Sequence, residues 1–235
     1  MTVPQVVAEL KSLGSESIKK TLLKHGAKEP FFGVKVEDLK KIQKRVKTNY
    51  ELALGLYDTG ISDAMYLAGL ITDDAKMTKQ DLQKWVRGAY WPWLSEYTVP
   101  WVAAGSQHGW ALALEWIDSK TENIAASGWS TLSSLVATKQ DEDLDLAALE
   151  KLLKRVQNTL HAQPNRVRHT MNGFVIAVGS YVAPLNGTAI DVAKKLGVVT
   201  VDMGGTACKV PSATEYIQKV MTKKGVGKKR KSAKC

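Results

Sequence analysis

The chain has 235 residues, 44% hydrophobic and 24% charged, with a net charge of +10. That length suits one large domain or two small ones with a real core, and the composition is that of a soluble globular protein rather than a disordered or collagen-like one. The amphipathic N-terminus "MTVPQVVAELKSLG" has no secretory h-region, and the longest apolar run, "GFVIAVGSYVAPL", is too short to span a bilayer. Cys208 and Cys235 fit neither a disulfide framework nor a zinc spacing, so a cytoplasmic protein with free thiols is predicted.

In chain order, apolar residues recur at helical spacing almost throughout. Helices are predicted over 4–13, 16–25, 35–46, 49–58, 62–71, 79–89, 94–105, 109–118, 122–137, 143–161, 165–183, 187–196 and 212–222. In "GVKVEDLKKIQKRVK", for example, Leu39, Ile42 and Val46 form one stripe and Lys40, Lys41, Lys44 and Arg45 take the other faces. Capping boxes are read at Thr48 with Glu51, Thr78 with Asp81 and Ser212 with Glu215. Stops are read at Gly14, Gly26, Gly60, Gly197 and "QPN" of 163–165. Only "VVTVDMGG", 198–205, reads as extended. Many helices on short turns, paired at intervals of about 35 to 45 residues, predict an all-α, HEAT-like helical-repeat solenoid with a concave basic face. Self-similarity between the pairs is weak, and a non-repetitive bundle is the competing architecture.

All seven tryptophans lie between Trp85 and Trp129, and three of them crowd "YWPWLSEYTVPW", residues 90–101, around the single carboxylate of Glu96. Pro100 cannot donate to the carbonyl of Glu96, so a helix running through this stretch must bend where Glu96 sits. The cluster is either the core of a helical domain or an aromatic cleft. Aromatic rings attract a cation by about 0.5–2 kcal/mol, and a nearby carboxylate adds a full counter-charge. Such a pairing suits cleavage of an N-glycosidic bond, in which the sugar becomes oxocarbenium-like.

Further on, "NRVRHTMNGFVIAVGSYV" carries one apolar stripe (Val167, Met171, Phe174, Val175, Val178, Val182). Arg168 and Asn172 share another face, flanked by Arg166 and His169. These groups at a helix start can bond phosphate oxygens, or can simply be a solvated first turn. His25, His108, His161 and His169 lack ligand spacing, so no metal is expected; no nucleotide-binding loop or hydrolase motif is present. From Lys223 onward seven basic residues occur without an acid, leaving about +3 for the rest of the chain. This segment, 223–235, is predicted to be a disordered tail following a single domain of 1–222. Lys228, Lys229, Arg230 and Lys231 would scan nucleic acid without specificity, or merely keep the protein soluble.

The pieces "FFGVKVEDLKKI", "SEYTVPW" and "RHTMNGFVIAVGSYV", over about residues 15 to 195, resemble the bacterial DNA alkylation repair (AlkD-like) family. The resemblance implies HEAT-like repeats holding double-stranded DNA, with active members that excise cationic N3- and N7-alkylated purines without a cofactor. It places Glu96 at the family's catalytic aspartate, shortly before Val99–Pro100. The neighbouring tryptophan of the family falls on Pro92, between Trp91 and Trp93, and a second is replaced by Phe174. The family's phosphate-gripping arginine falls on Gly128.

Three readings stay open. The first is a DNA N-glycosylase with Glu96 as electrostatic stabiliser, Trp91, Trp93 and Phe174 as walls, and Arg166, Arg168, His169 and Asn172 on the DNA. The second is a non-catalytic binder of DNA structure on the same scaffold, and the third a protein-interaction scaffold. All three predict a monomer with no cofactor and no membrane contact.

Overall fold

The computed structural model describes residues 1–223 and 225–234; Lys224, within the predicted tail, and Cys235 lie outside the described residues. The thirteen α-helices among the described residues match the thirteen predicted. They are α1 (Val3–Leu13), α2 (Glu16–Lys24), α3 (Val36–Val46), α4 (Tyr50–Asp58), α5 (Ser62–Ile71), α6 (Lys79–Gly88), α7 (Val99–Gly105), α8 (Gly109–Trp116), α9 (Glu122–Thr138), α10 (Leu146–Thr159), α11 (Asn165–Tyr181), α12 (Asn186–Leu196) and α13 (Ala213–Lys223).

Local chemistry sets many of the boundaries. At α6 the predicted capping box forms: the Asp81 amide donates to Thr78 Oγ1 at 3.1 Å and the Thr78 amide to Asp81 Oδ2 at 3.0 Å. At α13 the Glu215 amide donates to Ser212 Oγ at 3.3 Å. At α4 the expectation was one residue off. Asn49, not Thr48, is the cap, its Oδ1 accepting from the Leu52 amide at 3.0 Å. Asn caps at least as well as Thr, and the choice moves the helix start by a single residue.

Helices stack in pairs. α4 lies on α5, α8 on α9, and α11 on α12, while α5, α7, α9, α11 and α13 form a continuous second layer in which α9 packs most extensively on α11. Between α6 and α7 the chain makes a six-residue π-helix, Trp93–Thr98, whose wider turn is closed by the Val99 amide on the Leu94 carbonyl. This is how the Pro100 disruption is accommodated: the π-turn takes up one extra residue and α7 begins with proline in its first turn. Glu96 sits on that π-turn.

Two apolar clusters divide the interior. The first runs from Val6 to Trp116 and also contains Leu135; the second runs from Ala113 to Ile217. Most of the tryptophans are core. Trp85, Trp91, Trp116 and Trp129 are fully buried, and Trp101 nearly so. Tyr57 stacks on Trp85 with ring centres 4.1 Å apart.

Two expectations change. The 198–205 segment makes no strand; it lies against α11, where Asn165 exchanges hydrogen bonds with the backbone of Asp202 at 2.7 and 2.8 Å. Residues 225–234 do not hang free as the composition suggested. The Gly227 amide donates to Ser180 O at 3.1 Å and the Arg230 amide to Ala137 O at 2.7 Å, and Ala233 is buried in the first apolar cluster. The reason is complementarity that composition does not reveal: lysine side chains meet unpaired carbonyls and carboxylates at helix ends.

Candidate nucleic-acid interface

The π-turn, α7, α9 and α11 bound a groove lined by Glu96, Tyr97, Trp101, Ser130, Ser133, Ser134, His169, Thr170 and Arg230, among others, with a volume of about 230 Å³. The π-turn aims Glu96 away from solvent, toward the first turn of α11. There Arg166 Nε and Nη2 each donate to a different Glu96 oxygen at 2.6 Å, a bidentate pair in which the Glu96 side chain is 3% exposed and that of Arg166 20%. Burial raises the Glu96 pKa above the usual carboxylate range, and Arg166 pulls it back down. The Arg166 amide donates to Glu122 Oε1 at 2.6 Å, so a second carboxylate caps the N-terminus of α11.

His169, one turn along α11, has Nε2 3.9 Å from Glu96 Oε2 and a buried Nδ1 with no hydrogen-bond partner among the described residues. Burial first, and the Arg166 charge second, lower its pKa to about 4. The imidazole is therefore neutral at physiological pH. Arg168 Nη2 reaches Asn165 Oδ1 at 3.3 Å.

The structure brings Glu96, Arg166 and His169 together, adds Arg230 to the groove lining, and keeps Trp91, Phe174 and Asn172 out of it. Trp91 is 1% exposed, with Nε1 donating to Ser62 Oγ at 2.7 Å, and Phe174 is fully buried against Trp129. Phe174 cannot be the wall of an open cleft, and Trp91 only edges a separate cavity of about 510 Å³ on the Arg166 side, not the groove. Phe174 lies on the apolar stripe of α11 that covers α9, and Trp91 is packed inward from the bend that precedes the π-turn. Asn172 is also buried; its amide donates to Pro211 O at 2.9 Å, holding the segment after α12 rather than a phosphate. Arg166, expected as a free phosphate grip, is committed to Glu96.

Trp93 does face a cavity of about 310 Å³, with Tyr66, Tyr97, Trp101 and Arg230. Trp93 stacks on Trp91 at 5.3 Å, and Tyr97, 44% exposed, leans on Trp101 at 5.9 Å. Sequence reasoning passed over Tyr97 and the hydroxyl row Ser130, Ser133 and Ser134. The i, i+3, i+4 spacing of small polar residues on an otherwise apolar helix was the available signal. Gly128, the position of the family's arginine, is closed. A Cβ there would lie 2.7 Å from the Ile117 amide nitrogen, because α9 crosses the end of α8 at that point. Among the described residues no group of three or more His, Cys, Asp or Glu side chains is placed to hold a metal ion.

A family model described as "DNA alkylation repair enzyme" matches residues 6–216. The uncharacterized proteins Lin0241 of Listeria innocua and Lmo0209 of Listeria monocytogenes are each 35% identical over 225 residues, spanning 93% of this chain and 97% of the relative. A solved structure, described as a new family of proteins related to the HEAT-like repeat DNA glycosylases with affinity for branched DNA structures, superposes with a TM-score of 0.91 at 36% identity over the whole of both chains. The stacked helix pairs are thus HEAT-like repeats, and the bundle alternative falls.

Proposed function

The chain belongs to the DNA alkylation repair enzyme family, and within it we propose a DNA-binding protein that holds branched duplex DNA in the groove without excising a base. The observation that carries this reading is the Glu96–Arg166 pair. A carboxylate that already shares two 2.6 Å hydrogen bonds with a guanidinium has no free counter-charge to offer a cationic base or an oxocarbenium-like sugar.

What remains open along the groove suits binding. The hydroxyls of Ser130 and Ser134 can donate to phosphate oxygens, which positions DNA without reading sequence, while those of Ser133 and Thr170 already donate to the Trp129 and Val167 carbonyls. At a branch point bases lose stacking neighbours. The exposed ring of Tyr97, backed by Trp101, offers a replacement surface. The affinity for branched DNA ascribed to the structurally similar family agrees with this preference.

A second reading, excision of cationic alkylpurines, draws on one observation: Glu96 and His169 line the same groove as Tyr97. If a lesion displaced Arg166, the carboxylate would face the sugar. The two readings part in one experiment. Purified protein should bind a four-way junction more tightly than a linear duplex of equal length, and should release no 7-methylguanine or 3-methyladenine from alkylated DNA. Release of either base would replace the first reading by the second, and equal affinity for linear and branched DNA would remove the structural preference.

A further inference from the structure

The basic C-terminal segment is laid out as a clasp. Gly225 and Gly227, at φ +76° and +82°, turn the chain back after α13 through a conformation that a side chain would strain. From there it runs across the ends of three helices of the second layer. The Gly227 amide meets Ser180 O in the last turn of α11. Lys229 Nζ donates to Val136 O at 3.0 Å, in the last turn of α9, and to Asp141 Oδ1 at 2.7 Å. Lys234 Nζ donates to Thr72 O, just after α5, at 3.0 Å and lies 2.7 Å from Asp74 Oδ1. Helix C-termini leave carbonyls unpaired and carry partial negative charge, so lysine is the side chain that fits there. Ala233 then enters the first apolar cluster, while the segment begins on helices of the second. The run ties together the two halves of the solenoid.

The cations alternate. Lys229 and Lys234 are turned in, with side chains 7% and 17% exposed, while Lys228, Arg230 and Lys231 are exposed. Arg230 lines both groove cavities, beside Tyr97 and Trp101. We infer that residues 225–234 are a strap whose inward lysines lock it to the helix ends, so that Lys228, Arg230 and Lys231 form a preformed cationic rail along the groove for the phosphate backbone of DNA. This inference rests on the DNA-binding reading above. It differs from a floppy polycation in one consequence: breaking the lock should weaken binding even when net positive charge goes up.

The test uses Asp74→Asn together with Asp141→Asn, which removes two acids and leaves every lysine in place. On charge alone DNA binding should tighten. The strap predicts affinity for a four-way junction lower by on the order of tenfold, with a salt dependence shallower by about 2 to 3 in log–log slope, at about 0.9 per phosphate contact. Trypsin cleavage after Lys228–Lys231 without DNA should be on the order of tenfold faster than in wild type, since cleavage follows the open population. The triple change Lys228→Ala, Arg230→Ala, Lys231→Ala keeps the lock. It should weaken DNA binding to a similar degree with an unchanged melting temperature. Unchanged or tighter DNA binding by the Asp double variant overturns the rail. Equal trypsin rates overturn the strap itself. A wild-type protein that binds no DNA at low salt would sink the DNA-binding reading, and the rail with it, whatever the trypsin rates.

Discussion

The carboxylate of Glu96 and the guanidinium of Arg166, 70 positions apart in the chain, share two 2.6 Å hydrogen bonds at the floor of the groove. Each residue had a separate role in the sequence reading, one as a stabiliser of positive charge and the other as a grip on phosphate. Paired, each neutralises the other. The pair fastens the π-turn to the start of α11, so it acts first on the architecture of the groove.

Removing one member strands a desolvated charge, whereas removing both does not. Glu96→Gln and Arg166→Met are each expected to lower stability by about 3 kcal/mol in urea denaturation, and the double variant by clearly less than the sum. Additive losses, or single variants as stable as wild type, would contradict a structural pair.

His169 gives the fold an acid-side weakness. Its folded-state pKa is lowered to about 4, so between about pH 4 and 6.5 the unfolded chain binds the proton more readily, and stability falls as pH drops through that window. The full effect approaches about 3 kcal/mol. Asp74, pushed up to about 6 by burial, titrates in the same range with the opposite sign. The measurement is therefore a difference: His169→Gln should retain more stability than wild type on going from pH 7 to pH 4.5. Parallel pH profiles would refute the claim.

Tyr97 and Phe174 should behave oppositely. Phe174→Ala empties a fully buried ring site and should cost about 3–5 kcal/mol of stability. Tyr97→Ala should change stability by less than about 0.5 kcal/mol. Its affinity for a four-way junction should fall about tenfold, about 1.4 kcal/mol, within the range for base–aromatic stacking, with linear duplex affected less. A junction-binding assay with matched melts decides it.

Gly128→Arg would put back the family's arginine, and it should not restore a phosphate contact. The Cβ alone meets the Ile117 amide nitrogen at 2.7 Å. We expect a loss of about 3 kcal/mol or more and no gain in DNA affinity. A stable variant that binds DNA more tightly would show that α9 can move off α8.

Sequence alone determined the helices. Apolar spacing, caps such as Thr78–Asp81 and stops such as Gly197 are properties of neighbouring residues, and they placed all thirteen helices to within a few positions. The repeat-like pairing and the family resemblance followed from the same local patterns. What the tryptophans, the arginines and the tail do was decided only by tertiary structure. A tryptophan has the same hydrophobicity whether it lines a cleft like Trp93 or fills the core like Trp91. Arg166 reads as a free cation until the π-turn around Pro100 rotates Glu96 against it. The tail reads as disordered because composition counts lysines but does not register the carbonyls of Val136 and Thr72 waiting at helix ends. Burial and charge pairing depend on contacts across long stretches of chain, such as the 93 positions between Lys229 and Val136, and no window of local sequence encodes that distance.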